Sequence, residues 1–146
     1  MSCKIFLAGL VQLALLVSCA GVPTQEMSDA RQSVQAAHEA GADQYSSKHL
    51  KNAEDYLAQA ERELGLRYFN RARHDAILAR SEALKAQDVA TAIKEAQTAL
   101  DAASDRTQGA LRAARNLLRQ AIDAAARGKH KQAIRLAHEA RLRLQQ

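Results

Sequence analysis

Apolar residues recur every three or four positions along most of this chain, and the strict alternation expected of β-strands never appears. The first helix is predicted over Thr24–Ala40, with Gly41 ending it. The second is expected to begin at Ser46 or Ser47, either of which suits an N-cap, and to end at Gly65. The pattern therefore predicts a helical protein.

A third helix is predicted to be long. Small or aliphatic residues recur at every seventh position, at Ala72, Ala79, Ala86, Ile93 and Leu100. A helix unbroken from Asn70 to Ala103 would be about 50 Å long. Residues 104–109 include cap-forming and helix-breaking residues, so a bend or break is expected there. A fourth helix follows, and Gly128 separates it from the last one.

Composition indicates the same fold class. Ala, Leu, Glu, Lys and Arg dominate the chain after residue 19, which is typical of long or bundled helices. Because the predicted breaks are short, consecutive helices are expected to lie antiparallel. We therefore expect an all-α fold, an elongated bundle of antiparallel helical hairpins over residues 28–146, with two hairpin-type halves that meet near residues 104–109.

Two segments that lie 61 residues apart, Tyr56–Arg80 and Leu117–Arg141, are similar in sequence. Identical residues occur at Leu57/Leu118, Gln59/Gln120, Ala60/Ala121, Ala72/Ala133, Ala76/Ala137, Ala79/Ala140 and Arg80/Arg141. Both segments are predicted to form helix, short turn and helix, and the turn followed by small residues is similar to tetratricopeptide (TPR) hairpins. Most matches are Ala in an Ala-rich chain, and the TPR period of roughly 34 residues is absent. A generic helical hairpin is the preferred interpretation, with TPR-like parts as the alternative.

The N-terminus has the three zones of an export signal. Met1–Lys4 carries one positive charge, Ile5–Val17 is apolar except for Gln12, and small residues follow. Thirteen helical residues span about 20 Å, which is less than the roughly 30 Å of a hydrocarbon core. An export signal therefore fits this segment better than a membrane-spanning helix.

Within that class, Leu16-Val17-Ser18-Cys19 resembles the lipobox of bacterial lipoproteins. The resemblance implies that Cys19 receives a diacylglyceryl thioether and that a peptidase recognises Leu16, Val17 and Ser18 and cuts before Cys19. It also implies that the new amino group is acylated with a fatty acid such as palmitate. One acyl chain binds a membrane marginally, whereas two or three anchor stably. The alternative is an ordinary signal with an incidental cysteine.

Such processing would make residues 1–18 a signal peptide and residues 19–27 a lipidated tether. The residue after the cysteine is Ala20, whereas Asp at that position resembles an inner-membrane retention signal. We therefore expect the outer membrane, with the protein facing the periplasm.

The helical part also resembles a family. The matching pieces are Ala40–Tyr45, Leu50–Leu64 and Tyr68–Ala79, within residues 20–95. With the lipobox and the Pro-containing tether before them, they are similar to small bacterial lipoproteins grouped as domain of unknown function 4398. The resemblance implies a periplasmic helical module with no catalytic residues. Some relatives continue into a peptidoglycan-binding OmpA-like domain, which this sequence does not show, so wall binding by that route is not expected.

Residues that could carry chemistry are scattered. The chain has five histidines: His38, His49, His74, His130 and His138. The nearest two are eight residues apart, whereas a helical zinc pair needs a spacing of three or four. Both cysteines lie in the N-terminal segment, and no phosphate-binding loop or nucleophile elbow occurs. We therefore expect no enzyme activity, no metal and no cofactor.

Charge is uneven along the chain. Residues 107–146 hold nine Lys or Arg and two acidic residues, whereas residues 19–106 hold eleven against fourteen. Arg112, Arg115 and Arg119 follow helical spacing and form a candidate anionic docking face. Its partner would be phospholipid head groups, peptidoglycan carboxylates or an acidic envelope protein. The periplasmic location excludes nucleic acid, and the alternative is a solvated face that keeps the protein soluble.

These observations predict a non-enzymatic, lipid-anchored periplasmic module that acts as an adaptor or envelope scaffold. One alternative is a TPR-like module that binds peptides or proteins in a concave groove. A second alternative is a self-associating coiled-coil spacer, suggested by the seven-residue spacing of the third helix. The sequence does not determine the oligomeric state that would distinguish these interpretations.

Overall fold

The structure, a computed structural model, describes residues 21–103 and 105–145. These residues form six helices: α1 Thr24–Glu39, α2 Ala42–Tyr45, α3 Ser47–Gly65, α4 Phe69–Ala102, α5 Gln108–Ala126 and α6 His130–Gln145. No strand occurs in either described range. The expectation of an all-α helical bundle is therefore confirmed.

Helix α4 is the centre of the architecture. Its 34 residues correspond to about 51 Å of helix, so the long helix predicted from the seven-residue spacing is continuous. Helices α1 and α3 pack against its first half, and α5 and α6 pack against its second half. Two three-helix bundles therefore lie one after the other along a shared helix.

Core contacts define the direction of each helix in the first bundle. Near the start of α4, its alanines pack with Met27 of α1 and Ala60 of α3. Farther along α4, they pack with Ala37 of α1 and Ala53 of α3. Helix α1 therefore runs parallel to α4, and α3 runs antiparallel to both.

The two bundles are copies of one structural unit. Helices α3 and α5 each have 19 residues and begin 61 residues apart, as do α4 and α6. Buried positions correspond across that offset, in the pairs Ala53/Ala114, Ala60/Ala121, Ala72/Ala133, Ala76/Ala137 and Ala79/Ala140. Helix α1 of the first bundle has the place that the second half of α4 has in the second bundle. The matching buried positions are Met27/Ile93, Ala30/Ala96 and Ala37/Ala103. The internal sequence similarity therefore corresponds to a structural repeat. The first half of α4 is the last helix of the first unit, and its second half is the first helix of the second unit.

Alanine dominates the core of both bundles. Met27, Val89 and Ile93 are the largest of its fully buried hydrophobic side chains, and most of the remaining buried positions are Ala. The distance between packed helices depends on the side chains at the contact, so methyl groups allow the three backbones to approach closely. Larger side chains at these positions would have to displace a helix.

The helix ends lie where the sequence signals place them. Gly41 ends α1 in the left-handed region, with φ of 88°, as predicted. Thr107, inside the predicted break, caps α5 by accepting a hydrogen bond from the Ala110 amide at 3.4 Å. Ser46 holds the N-cap position of α3, as predicted, but its side chain makes no capping hydrogen bond. Its hydroxyl is buried and has no hydrogen-bond partner in the described structure.

The one-turn helix α2 is not predicted by the sequence pattern. It lies between α1 and α3, and its Tyr45 packs against the core of the first bundle and that of the second. A single aromatic side chain in a short connection therefore helps to join the two bundles.

Candidate docking surface

The predicted basic face is formed as expected on α5. Arg112, Arg115 and Arg119 are all exposed, while the other side of the helix buries Ala114, Leu118 and Ala121 among other apolar residues. Ile122 continues the arginine line by one more turn and is also exposed. We call the three arginines the basic face.

No counter-charge neutralises the basic face in the part of the chain that the structure describes. Arg112 donates a hydrogen bond to the amide oxygen of Gln108 at 3.3 Å, and none of the ion pairs found there includes Arg112, Arg115 or Arg119. Some arginines elsewhere are paired, as in Arg31 with Glu61 at 3.0 Å. The basic face therefore presents its charge to the surroundings.

The other cations of the second bundle do not all join this face. Lys129 and Lys131 lie at the α5–α6 turn, near the middle of the molecule. Fourteen residues of helix, about 21 Å, separate Arg112 from the end of α5. Arg135 lies 3.9 Å from Glu139 and is partly neutralised. The structure thus brings the three arginines together and leaves the lysines at the junction.

A buried polar cluster connects the bundles at that junction. His49 of α3 is only 8% exposed, and its Nδ1 lies 2.7 Å from a carboxylate oxygen of Glu82 on α4. Its Nε2 lies 3.2 Å from the Gly128 carbonyl in the α5–α6 turn. Both partners accept hydrogen bonds, so the two bonds form together when the ring carries two protons. His49 therefore ties α3 of the first bundle to the turn of the second.

Neighbouring charges complete this cluster. The Lys85 ammonium contacts Glu82, and the His130 ring meets that of His49 edge-on at 5.5 Å. Burial and the positive charges of His49, Lys85 and Lys131 lower the pKa of His130. Burial opposes ionisation of Glu82, but hydrogen bonds from His49 and Lys85 outweigh it and lower the pKa of that carboxyl.

The remaining histidines lie in ordinary surface pairs or grooves. His38 bridges Asp43 and Glu54, each at 3.0 Å, and its hydrogen bond to Asp43 is the main cause of its raised pKa. His74 pairs with Asp75 at 2.9 Å. Across residues 21–103 and 105–145, no group of three or more His, Cys, Asp or Glu residues is arranged to hold a metal ion.

A surface groove runs between the second half of α4 and α6. Its largest part has a volume of about 590 Å³ and is lined by Thr91, Glu95, Ala99 and Arg141, among others. An ion pair between Arg141 and Glu95 crosses it. The corresponding groove of the first bundle contains the equivalent pair, Arg80 with Asp29 at 3.7 Å.

The proposed attachment residue Cys19 and the peptidase-recognition residues Leu16, Val17 and Ser18 lie outside the described residues. Within the ranges that are described, none of the helices has both the length and the apolar character needed to cross a membrane.

Sequence reasoning found the basic face and missed the His49 cluster. The spacing of the arginines along one helix was sufficient to place them on one face. His49 meets Glu82 and Gly128 across 33 and 79 residues of sequence, and no local pattern indicates such contacts.

The fold defines an all-α module made of two copies of one three-helix unit. A family model described as a domain of unknown function, DUF4398, matches residues 25–103. The match spans more than half of the chain, so the chain belongs to the DUF4398 family. It contains the first bundle and the whole of α4, and it ends immediately after α4. No curated protein and no solved structure matches the chain.

Proposed function

We propose that this chain is a non-enzymatic, lipid-anchored helical module of the periplasm that acts as an adaptor or envelope scaffold. The observation that carries the proposal is the basic face, which lacks a counter-charge in the described structure and lies far from the N-terminal end. The lipobox resemblance supports an anchor at Cys19, and Ala20 supports the outer membrane.

The anchor and the basic face would lie at opposite ends of α4. Gly21 lies at the start of α4, where its carbonyl accepts a hydrogen bond from Arg73 at 2.8 Å. The start of α5 packs at the other end, where Ala114 meets Ala103. The length of α4, about 51 Å, therefore separates a lipid on residue 19 from Arg112.

The basic face suits an anionic partner in the envelope. Its arginines can pair with the carboxylates of peptidoglycan or of an acidic protein, and their planar guanidinium groups favour bidentate contacts. Its distance from the anchor favours these partners over the head groups of the leaflet that holds the lipid. Nucleic acid is not expected in this compartment.

The proposed lipid anchor is tested in cells by blocking the cleavage before Cys19 or by removing Cys19 itself. Globomycin should cause accumulation of the unprocessed form, and Cys19→Ser should abolish incorporation of labelled palmitate into the protein. The matched control is Cys3→Ser, which changes a cysteine inside the proposed signal and should leave processing and palmitate incorporation unaffected. Palmitate incorporation into the Cys19→Ser protein would contradict the proposal.

Docking is tested by site-specific photocrosslinking in cells. A crosslinker at Asn116, which is exposed between the arginines, should capture a partner. Asp55 occupies the equivalent exposed position 61 residues earlier, on α3, and serves as the control. Replacing Arg112, Arg115 and Arg119 by Gln should abolish capture. Equal capture before and after this replacement would show that the basic face has no docking role.

A second candidate function is self-association as a spacer. Ile77 and Leu84 are exposed on α4 at seven-residue spacing, which is the spacing of a coiled-coil seam. Sedimentation of the protein in detergent should then show a dimer that Ile77→Ser weakens. A TPR-like mode would instead use the α4–α6 groove, and peptide binding sensitive to Thr91→Trp would support it.

A further inference from the structure

An apolar patch is exposed at the end of the molecule where residue 21 lies. Leu66 and Tyr68, in the turn between α3 and α4, are 63% and 52% exposed. Val22 is exposed beside the start of α1, and Phe69 is half-buried at the start of α4. The hydrogen bond from Arg73 to the Gly21 carbonyl holds the entering chain at this same end. We call these four apolar residues the end patch.

The repeat shows that the end patch is not required by the fold. The α3–α4 turn and the α5–α6 turn have corresponding backbone hydrogen bonds, such as Tyr68 N to Glu63 O and Lys129 N to Ala124 O, both at 2.9 Å. The second turn contacts the start of α3 through the Gly128 carbonyl, while its Arg127 and Lys129 side chains are exposed, and it carries Arg-Gly-Lys-His at residues 127–130. The first turn is open to solvent, yet it carries Leu-Arg-Tyr-Phe at residues 66–69.

The exposed positions of the second turn carry polar residues, as folding alone favours, whereas those of the first turn carry Leu66 and Tyr68. Large apolar side chains at exposed positions gain nothing from burial within the molecule. The apolar residues of the open turn therefore indicate a surface that meets something outside the molecule.

Two cations frame the end patch. Arg67 has φ of 62°, in a region that favours glycine, and such strain is typical of positions whose side chain is used. Arg71 lies over the Tyr68 ring at 5.4 Å. Neither Arg67 nor Arg71 takes part in an ion pair within the described ranges. Arg, Tyr and Leu side by side are typical of residues at a membrane interface.

We propose that the end patch rests in the head-group region of the bilayer that holds the lipid anchor, with Arg67 and Arg71 binding lipid phosphates. This inference rests on the proposed lipidation of Cys19. The chain from Cys19 to Val22 extends about 10 Å at most, so an anchored molecule keeps Val22 close to the bilayer surface. The arrangement orients α4 away from the membrane and presents the basic face to the periplasm.

The test uses the lipidated protein in vesicles of phosphatidylethanolamine and phosphatidylglycerol with brominated acyl chains. An environment-sensitive fluorophore is attached to Asn70→Cys, beside the end patch, or to Lys131→Cys, the matched position in the second unit. In the processed protein Cys3 is removed and the Cys19 thiol is blocked, so labelling is specific. The label at position 70 should shift to shorter wavelength and be quenched, and the label at position 131 should not.

The end patch itself is tested in the Asn70→Cys protein by adding Leu66→Ser and Tyr68→Ser. Both exposed substitutions should preserve helicity and flotation but remove the quenching. Flotation with equal, unquenched emission at positions 70 and 131 would overturn the inference alone and leave the anchor intact. Quenching that survives the double substitution would also overturn it. Failure of the unmodified protein to float with vesicles would overturn the proposed anchoring and this inference together.

Discussion

Arg67 and Gly128 hold the same position in the two helix turns of the molecule, 61 residues apart, and both have left-handed backbone, with φ of 62° and 72°. Glycine adopts this conformation without steric cost, whereas a side chain at Cβ makes it less favourable. At residue 128 a Cβ would lie 2.9 Å from the flexible end of the Lys48 side chain, which would have to shift. At residue 67 the turn is open and an arginine is present.

Arg67→Gly should stabilise the protein. Relief of the left-handed strain is expected to raise the free energy of unfolding by about 1 kcal/mol, and urea unfolding measures it. Arg67→Ala is the control, since it removes the same side chain beyond Cβ but keeps the strain, and it should leave stability nearly unchanged. A destabilised Arg67→Gly protein would mean that the arginine side chain, and not the backbone, dominates this turn.

His49→Ala should weaken the junction between the bundles. It leaves the Gly128 carbonyl and one oxygen of Glu82 without their partner in a half-buried site, at a cost of about 2 kcal/mol. Hydrogen exchange should accelerate most at the amides of Gly128 and Lys129. His138→Ala removes an exposed histidine and should change stability by less than about 0.5 kcal/mol. Similar losses in both variants would show that the junction contact is unimportant.

Two histidines should give the stability opposite dependences on pH. The pKa of His130 is lowered from 6.5 by burial and nearby positive charge. As the pH falls, His130 therefore takes up a proton in the unfolded chain at a higher pH than in the folded one. Stability is therefore lost as the pH falls below 6.5. The pKa of His38 is raised from 6.5, mainly by its hydrogen bond to Asp43. Its contribution is complete below 6.5 and is lost as the pH rises through the folded pKa.

These opposite signs can be separated by urea unfolding across pH. His130→Asn should flatten the acid side of the stability profile, and His38→Asn should flatten the neutral-to-alkaline side. The unaltered protein provides the reference for both variants. If His38→Asn changed the acid side instead, the Asp43 and Glu54 contacts would not be the ones that matter in solution.

The alanine core should resist enlargement. Ala60 is fully buried between α1, α3 and α4, so Ala60→Leu is expected to lower the free energy of unfolding by about 1–3 kcal/mol through overpacking. Ala58 lies on the exposed side of the same helix, and Ala58→Leu should have an effect below about 0.5 kcal/mol. An equally stable Ala60→Leu protein would show that the three helices can move apart at little cost.

Local sequence signals were sufficient for most of the helices. The seven-residue spacing from Ala72 to Leu100 predicted a long helix and left its continuity open, and the structure shows that α4 is unbroken. Gly41 marked the end of α1. The sequence similarity between Tyr56–Arg80 and Leu117–Arg141 predicted two helical hairpins, and the structure shows that the repeat extends to a whole three-helix unit.

What the sequence did not reveal depends on contacts between distant residues. The turn of helix at α2 is held by Tyr45 between two cores, and four residues are too few to give a periodic pattern. Ser46 has the right residue type for a cap, but its hydroxyl is buried. The arginine spacing predicted the basic face, whereas the lack of partners for these arginines could be seen only in the folded chain.

The central claim is that a lipid at Cys19 holds this module at a membrane and leaves its basic face free. Mass spectrometry of the protein purified from cells, and of its N-terminal peptide, tests the claim most directly. We predict a chain that begins at Cys19, with a diacylglyceryl group on the sulfur and an acyl group on the new amine. A mature chain that begins at another residue, or an unmodified Cys19, would contradict the account.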